Sequence, residues 1–200
     1  AVTTPYQAAL RGRVQAGDRV IVIGAAGGVG SFMTQIAKVM GAGTVIGIDI
    51  NEEKLRMMEK YGADFTVNPN GKSVKEIREE VKACARERKV PGNWGWKVFE
   101  VTGTKAGQEL ALALLSFVGT LVVVGYGTDQ TQYMLSRLMA FDAEIIGTWG
   151  CPPKYYADVL RMCIEGKIAL EPFVEVRPLS QIEKVLHDAH HGQLSKRVIL

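Results

Sequence analysis

Apolar positions along this chain follow two different spacings. The continuous run Leu121–Val124 is typical of a strand buried on both faces of a sheet, whereas Phe32, Ile36 and Val39 recur at helical spacing. Segments of the two kinds alternate, which indicates parallel strands joined by right-handed crossover helices. We therefore predict the α/β class, with a doubly wound parallel sheet of six strands. The strands are expected near residues 19–24, 44–49, 64–67, 96–101, 119–125 and 143–149.

Helical spacing between these strands predicts helices near residues 28–41, 52–61, 73–88, 104–116 and 132–140. Two segments lie outside this unit. Residues 1–16 are expected to form a helix leading into the sheet, since Pro5 suits a first helical turn. Residues 151–200 are expected to form helix 154–166, a strand near 173–177, helix 179–191 and a last strand from Arg197. The main domain then covers residues 17–150.

Composition and charge narrow the classes of partner. Hydrophobic residues make up 47% of the chain and the mean hydropathy is +0.06, so a substantial core can form. The net charge of +3 is small, and the densest charged stretch, residues 75–89, alternates in sign, which argues against a nucleic-acid partner. The longest apolar run, Gly119–Tyr126, has only strand length, and residues 1–20 lack a signal-peptide pattern. We expect a soluble, cytoplasmic protein that binds neither nucleic acid nor a membrane.

A glycine-rich turn follows the first predicted strand: Gly24-Ala25-Ala26-Gly27-Gly28-Val29-Gly30. The missing side chains let the backbone approach a pyrophosphate closely, and the next helix offers that anion its free N–H groups and positive dipole end. A second strand then ends at Asp49, nineteen positions after Gly30 (49 − 30 = 19), near the spacing expected for an acid that holds a ribose. This order of elements predicts a dinucleotide site. Its residues are Gly24, Gly27, Gly28, Val29, Gly30 and Asp49.

The acid also predicts which nucleotide binds. The Asp49 carboxylate can accept two hydrogen bonds from an adenosine ribose but would repel a dianionic 2′-phosphate. We therefore predict NAD rather than NADP. Asn51 and Lys54 follow on the next helix and could reach the same ribose, although a solvated surface charge is the alternative interpretation of Lys54.

Several further motifs accompany the turn: Thr3–Leu10, Gly47–Asn51, Gly62–Asp64, Glu100–Gly103 and Val122–Gly125. Together they resemble the medium-chain dehydrogenase/reductase superfamily, in its zinc-type alcohol dehydrogenase group. The resemblance implies an NAD-dependent oxidoreductase that moves hydride between a secondary alcohol and NAD+. Two segments, Trp96–Gly127 and Gly147–Tyr156, resemble the 6-hydroxycyclohex-1-ene-1-carbonyl-CoA dehydrogenases, which implies an alicyclic hydroxyacyl-CoA substrate and a role in aromatic compound degradation.

The resemblance also implies a division of the chain. Residues 1–16 correspond to a connecting helix, 17–150 to the dinucleotide-binding Rossmann domain, and 151–200 to a segment returning towards a catalytic domain. The family's zinc-binding stretches are not among these residues. We therefore expect any zinc to lie in that catalytic domain, no metal to be bound by this chain, and the 200-residue piece to bind NAD without turning over alcohols.

Other cofactor contacts are carried over by position. Thr102 would lie beside the adenosine, and Arg197 would contact the pyrophosphate through a charge-assisted bond, with a solvated side chain as the alternative for Arg197. The family places no ligand on the helix of His187, His190 and His191, so these histidines are interpreted as an ordinary polar face. Residues expected at the nicotinamide are Thr4, Val124, Gly125, Tyr126, Thr148 and Trp149.

Some alternatives remain open. Ala25 stands where the alcohol dehydrogenases usually have the first glycine of the turn, a form closer to the zinc-independent quinone and enoyl reductases of the same superfamily. A nucleotide-binding module with no chemistry of its own is a third possibility.

Cys151 precedes two prolines that stiffen its loop, and we interpret it as a packing residue. The sixth strand would form a sheet edge, and the resemblance implies a homodimer or homotetramer through it.

Overall fold

The computed structural model describes all 200 residues. Its centre is a parallel sheet of six strands in the order β3-β2-β1-β4-β5-β6. This arrangement confirms the predicted doubly wound Rossmann fold. The strands are β1 (Arg19–Ile23), β2 (Thr44–Ile48), β3 (Phe65–Val67), β4 (Trp96–Glu100), β5 (Thr120–Val123) and β6 (Glu144–Gly147).

Helices cover both faces of the sheet and the two ends of the chain. A separate pair of parallel strands, β7 (Val174–Val176) and β8 (Arg197–Ile199), lies outside the main sheet. None of the helices has both the length and the apolarity needed to span a membrane. The α-helices are α1 (Thr3–Arg11), α2 (Gly30–Val39), α3 (Glu52–Lys60), α4 (Val74–Glu87), α5 (Lys105–Leu114), α6 (Ser136–Phe141), α7 (Tyr156–Ile164) and α8 (Ile182–His190).

The central strands are buried on both faces because successive side chains point to opposite sides. In β1, Val20 and Val22 join one hydrophobic core with Phe32 of α2. Ile21 and Ile23 join the other core, on the side where α4 and α5 pack. The continuous apolar run of β1 therefore serves two cores at once.

Two helices differ most from their predicted bounds. The leading helix ends at Arg11 instead of residue 16, because Arg13 adopts a left-handed conformation (φ 52°) that a continuing α-helix cannot accommodate. The helix expected from residue 132 begins at Ser136, and no side chain caps its first turn. The preceding loop is fastened instead to α5, where the Thr131 hydroxyl donates to Gln108 Oε1 over 2.6 Å.

The strand order reverses at β1, which lies between β2 and β4. The chain leaves β1 for β2 on one side and later returns to β4 on the other. At such a switch point the connections diverge and leave a crevice beyond the carboxyl ends of the strands. The glycine turn and the loop after β4 line that crevice.

Candidate nucleotide-binding site

The glycine turn begins where β1 ends. Gly24 has φ +90°, and the amides of Gly24 and Ala25 both donate to the Ile48 carbonyl, over 2.8 and 3.1 Å. The Gly27 amide then closes the turn by donating to the Gly24 carbonyl over 3.0 Å. A methyl group built on Gly30 would lie 2.7 Å from the Gly24 carbonyl carbon. Strand and helix therefore meet backbone to backbone, a packing that requires glycine.

The start of α2 presents unused hydrogen-bond donors. The amides of Gly28, Val29 and Gly30 donate to no acceptor within the chain. Gly27 and Gly28 are exposed, and the helix that follows is ten residues long. Free amides at a helix N-terminus, together with its positive dipole end, favour an anion.

Asp49 lies just beyond β2 and ties that strand to the turn. Its Oδ2 accepts a hydrogen bond from the Ala26 amide over 2.9 Å, and its Oδ1 accepts one from the Asn51 amide over 3.0 Å. The side chain is half-buried. Each carboxylate oxygen has a second acceptor site, so the group can also accept hydrogen bonds from the hydroxyls of a ribose.

The two residues predicted to assist Asp49 have other contacts. The Asn51 side chain caps α3, where its Oδ1 accepts from the Lys54 amide over 2.9 Å. The Lys54 ammonium donates to the carbonyl of Leu194, 140 positions later, over 3.2 Å. Helix capping and attachment of the C-terminal segment account for both side chains in this structure.

Arg197 lies beside the glycine turn. A methyl group built on Gly28 would stand 3.4 Å from Arg197 Nη1, and Arg197 makes no ion pair with a carboxylate. A cleft of about 600 Å³ lies between α2 and the C-terminal segment. Its lining includes Gly28, Ser31, Lys54 and Arg197. The cleft combines free amides with three cationic side chains, those of Lys54, Lys196 and Arg197, which is the donor set of a phosphate site.

The loops after β4 and β5 form the other part of the crevice. The amides of Val124 and Gly125 donate to the Glu100 carbonyl over 2.9 and 3.0 Å. A methyl group on Gly125 would lie 2.7 Å from the Gly103 Cα, so the two loops touch through their backbones. Tyr126 is 81% exposed beyond this contact.

Residues from β6 and α1 complete the expected set. The Thr148 amide continues the sheet by donating to Val123 O over 3.1 Å, while its hydroxyl is buried without a partner. Trp149 is 86% exposed. Thr4 lies in the first turn of α1, a helix that packs against α2 and reaches the end of β6 through a bond from Arg11 to the Gly147 carbonyl. The unpartnered Thr148 hydroxyl is available to a ligand.

Glu100 was not predicted as a site residue. It ends β4, is 0% exposed, and its carboxylate accepts hydrogen bonds from the amide and hydroxyl of Thr102 and from the Gly103 amide. The sequence offered one signal, an acid at the carboxyl end of an otherwise buried strand. An acid there must be paired, because burying an unpaired charge is costly.

The surroundings of Cys151 favour a packing role over a catalytic one. Burial raises the pKa of the Cys151 thiol, which favours the neutral form and fits a packing role. Its sulfur lies 3.6 Å from the Pro152 carbonyl. No three His, Cys, Asp or Glu side chains are grouped closely enough to hold a metal ion.

Comparisons with known proteins agree with this geometry. A family model described as zinc-binding dehydrogenase matches residues 28–165. The chain is 29% identical over 199 residues to an NAD-dependent alcohol dehydrogenase from Sulfolobus acidocaldarius, covering 98% of this chain and 54% of the relative. It is 30% identical over 197 residues to an alcohol dehydrogenase from Geobacillus stearothermophilus, with the same coverage.

Solved structures show the same fold. The thermostable alcohol dehydrogenase from Pyrobaculum aerophilum superimposes with a TM-score of 0.80 at 26% identity, over 98% of this chain and 54% of that one. The galactitol-1-phosphate dehydrogenase from Escherichia coli gives a TM-score of 0.84 at 23% identity, over 98% and 57%. The chain thus spans about half the length of the relatives it matches. It belongs to the zinc-binding dehydrogenase family, in the zinc-type alcohol dehydrogenase group of the medium-chain dehydrogenase/reductase superfamily.

Proposed function

We propose that this chain is the NAD-binding part of an alcohol dehydrogenase-like oxidoreductase. The observation that carries the proposal is the group formed by the free amides at the start of α2, the unpaired Arg197 guanidinium beside Gly28, and the Asp49 carboxylate at the end of β2. Cationic and acidic groups stand side by side around one turn. A pyrophosphate with an adjoining ribose satisfies both kinds of group, because its phosphates need donors and its hydroxyls need an acceptor.

The turn itself fits this ligand. A side chain at Gly28 would meet no protein atom closer than 3.4 Å, so the space above its backbone is open to a ligand, whereas a side chain at Gly30 would collide with the turn. The open position admits a phosphate to the free amides. Arg197 adds a charge-assisted bond from the opposite side.

Asp49 supports NAD over NADP. Its oxygens already accept hydrogen bonds from Ala26 and Asn51, which hold the carboxylate in place at the edge of the crevice. A 2′-phosphate would have to approach this fixed negative charge. The Lys54 ammonium, on the helix that follows Asp49, donates to the Leu194 carbonyl instead. We therefore propose that NAD is the preferred cofactor.

The loops after β4, β5 and β6 would hold the nicotinamide end. Bound NAD+ supplies the hydride acceptor, and this chain's contribution is to fix the ring's position and choose its exposed face. The Val124 and Gly125 carbonyls, which accept no main-chain hydrogen bond, and the partnerless Thr148 hydroxyl offer polar atoms for that purpose. The secondary-alcohol site, and any zinc that activates the alcohol, are proposed to lie in the rest of a longer protein, so this chain alone should bind NAD without dehydrogenase activity.

A narrower substrate class is proposed from a resemblance in sequence. Two segments, Trp96–Gly127 and Gly147–Tyr156, resemble the 6-hydroxycyclohex-1-ene-1-carbonyl-CoA dehydrogenases, which favours an alicyclic hydroxyacyl-CoA as the alcohol and a role in aromatic compound degradation. The test is an NADH-formation assay on a protein that includes the catalytic domain, comparing an alicyclic hydroxyacyl-CoA with sorbitol and simple secondary alcohols. Preference for a polyol or a simple alcohol would contradict the acyl-CoA proposal.

Calorimetric titration of the 200-residue chain tests the nucleotide proposal. We expect heat on addition of NAD+ and a markedly weaker response to NADP+. Absence of binding by folded protein would contradict the proposal. A clear preference for NADP+ would instead favour a quinone or enoyl reductase, the alternative that the Gly24-to-Gly30 turn supports.

Self-association through β6 is the remaining proposal. This strand is an edge of the six-stranded sheet, and Ile145 on it is 38% exposed. The amides of Glu144 and Thr148 donate to the β5 side, so the Ile145 amide, in alternation, faces the open edge. Such an edge can pair with its copy in a homodimer or homotetramer.

Ile145→Pro removes only that outward amide and should convert oligomers to monomers in sedimentation velocity, whereas Ile145→Ala should retain them. An unchanged profile for Ile145→Pro would contradict pairing through this edge. The substitution leaves the bonds between β5 and β6 in place, so folding is expected to persist.

A further inference from the structure

We infer that Glu100 is a positioning residue of the nucleotide site, because it fixes the wall across which a dinucleotide would lie. The wall is the segment Val101–Thr104, which follows β4 at the point where the strand order reverses. This inference rests on the proposed function. It assigns a role to a buried carboxylate that would not itself touch the cofactor.

The Glu100 carboxylate holds the wall in place through hydrogen bonds. Glu100 Oε1 accepts from the Thr102 amide over 2.8 Å and from the Thr102 hydroxyl. The Gly103 amide donates to both carboxylate oxygens, at 3.2 Å each. Every hydrogen bond that the carboxylate accepts is thus donated by Thr102 or Gly103. Hydrogen bonds to an ionised acceptor are stronger than neutral ones.

The main chain of the same residue holds the neighbouring loop. Its carbonyl accepts from the amides of Val124 and Gly125, at 2.9 and 3.0 Å. Glu100 therefore binds the loop after β4 with its side chain and the loop after β5 with its backbone. A substitution at Glu100 should therefore affect the positions of both loops.

Close packing leaves the wall no freedom to shift alone. On one side, a methyl group at Gly24 would lie 2.7 Å from Thr102 Cγ2, so the wall abuts the phosphate turn. On the other side, a methyl group at Gly103 would lie 2.6 Å from the Tyr126 carbonyl carbon. Displacement of Thr102 or Gly103 must therefore move the turn, the β5 loop or both. In a close-packed interior such shifts are transmitted, not absorbed.

A general structural role and a positioning role make different predictions. A strand end could be filled by an apolar side chain without any charge, at lower desolvation cost. The carboxylate instead gathers donors at the junction between the phosphate turn and the loop expected at the nicotinamide. Loss of the carboxylate should therefore weaken a ligand that spans the junction more than one that occupies a single side of it.

The experiment compares NADH with 5′-AMP as ligands of the 200-residue chain. NADH spans the wall from the phosphate turn to the loop after β5, whereas AMP, with its adenosine beside Thr102, ends at the phosphate turn and Asp49. For Glu100→Gln we expect NADH binding to weaken by about tenfold, the size of one lost hydrogen bond to a charged group, while AMP weakens by no more than about twofold. The readout is the ratio of the two dissociation constants, measured beside the melting temperature.

Glu144→Gln is the matched control. Glu144 is a carboxylate of the same sheet that accepts from a threonine hydroxyl, Thr120, over 3.0 Å, but it lies at the start of β6 instead of the end of a strand. We expect it to leave the NADH-to-AMP ratio unchanged. Should Glu100→Gln not fold, Glu100→Asp keeps the charge and withdraws it by one methylene, and the same shift in ratio is expected.

Two results would overturn the inference, because each leaves the ratio of the two dissociation constants unaltered: unchanged affinity for both ligands in the Glu100 variants, or a parallel loss of affinity for both. Failure of the proposed function looks different, because the wild-type chain would then bind neither NADH nor AMP. Binding by the wild type with an unaltered ratio in the variant would therefore reject only the role assigned to Glu100.

Discussion

Gly30→Ala probes the contact that closes the phosphate turn. A methyl group at this position would lie 2.7 Å from the Gly24 carbonyl carbon and 2.9 Å from the Ala25 Cα, and closer still to the Gly24 oxygen. Non-bonded carbon atoms are normally separated by about 3.5 Å or more. The start of α2, or the turn itself, must therefore move by at least about 0.8 Å to accommodate the methyl group, because the contact with the Gly24 oxygen is tighter than the two carbon contacts.

The cost follows from what surrounds the methyl group. Overpacking of this kind typically costs about 1–3 kcal/mol, and we expect the upper part, about 2–3 kcal/mol, because the obstructing atoms are backbone and no flexible side chain can yield. For a chain of this length, that loss lowers the melting temperature by roughly 4–12 °C. The displaced amides of Gly28 and Val29 should also reduce NADH affinity by about tenfold, since sub-ångström placement matters at such sites.

Thermal unfolding by circular dichroism and fluorescence titration with NADH measure the two effects separately. Gly28→Ala is the informative counterpart, because its methyl group meets only Arg197 Nη1 at 3.4 Å. It should keep the melting temperature and still weaken NADH, by occupying the place of the phosphate. Gly147→Ala, with nothing within 4 Å, should change neither. An unchanged melting temperature for Gly30→Ala would refute the closed turn, and full NADH affinity in Gly28→Ala would refute the amide cradle.

Three further predictions use other parts of the chain. Asp49→Asn should narrow the preference for NAD+ over NADP+ by about tenfold in calorimetric titrations, because the charge that repels a 2′-phosphate is lost; an unchanged preference would contradict the role of Asp49. Arg197→Gln should weaken NAD+ by about tenfold at low salt and flatten its salt dependence, as expected when one charge-assisted bond is removed. At the start of α4, bonds from the Ser73 hydroxyl and amide lower the pKa of Glu76, so their stabilising effect is present above the ordinary glutamate pKa and is lost as the pH falls through the lowered value. Ser73→Ala should therefore lower the urea concentration at the midpoint of unfolding at neutral pH and lower it less near pH 3, and an equal decrease at both would contradict the coupling.

Much of the fold was predictable because its elements bury their side chains at regular spacings. The strands around Val20–Ile23 and Leu121–Val123 read as apolar runs, and a parallel sheet covered on both faces requires such runs. Irregular segments were less accessible. The left-handed Arg13 that ends α1 carries no sequence signal, because glycine or asparagine is the usual residue there.

The candidate site likewise has parts that the sequence predicts and parts that it does not. The phosphate turn was predictable because a close approach between backbone atoms demands glycine, as at Gly24 and Gly30. The bond from Lys54 to Leu194 joins residues 140 positions apart, and no local pattern could indicate it. Asn51 shows a further limit, since a helix cap and a ribose ligand require the same residue type at the same place.

The site's construction explains why sequence reasoning found one half of it more readily than the other. Around Gly28 the recognition groups are main-chain amides, and the close approach of a phosphate to that backbone favours glycine, which is visible in the sequence. Around Gly103 and Gly125 the recognition groups are also main-chain atoms, but their placement depends on a single buried acid at Glu100 that no spacing rule identifies. Where a site recognises its ligand through main-chain atoms, its binding properties therefore depend on the residues that fix the backbone in position. For the same reason, Glu100→Gln and Gly30→Ala, whose altered atoms would not touch the bound nucleotide, should affect its affinity as strongly as Arg197→Gln, whose altered atoms would.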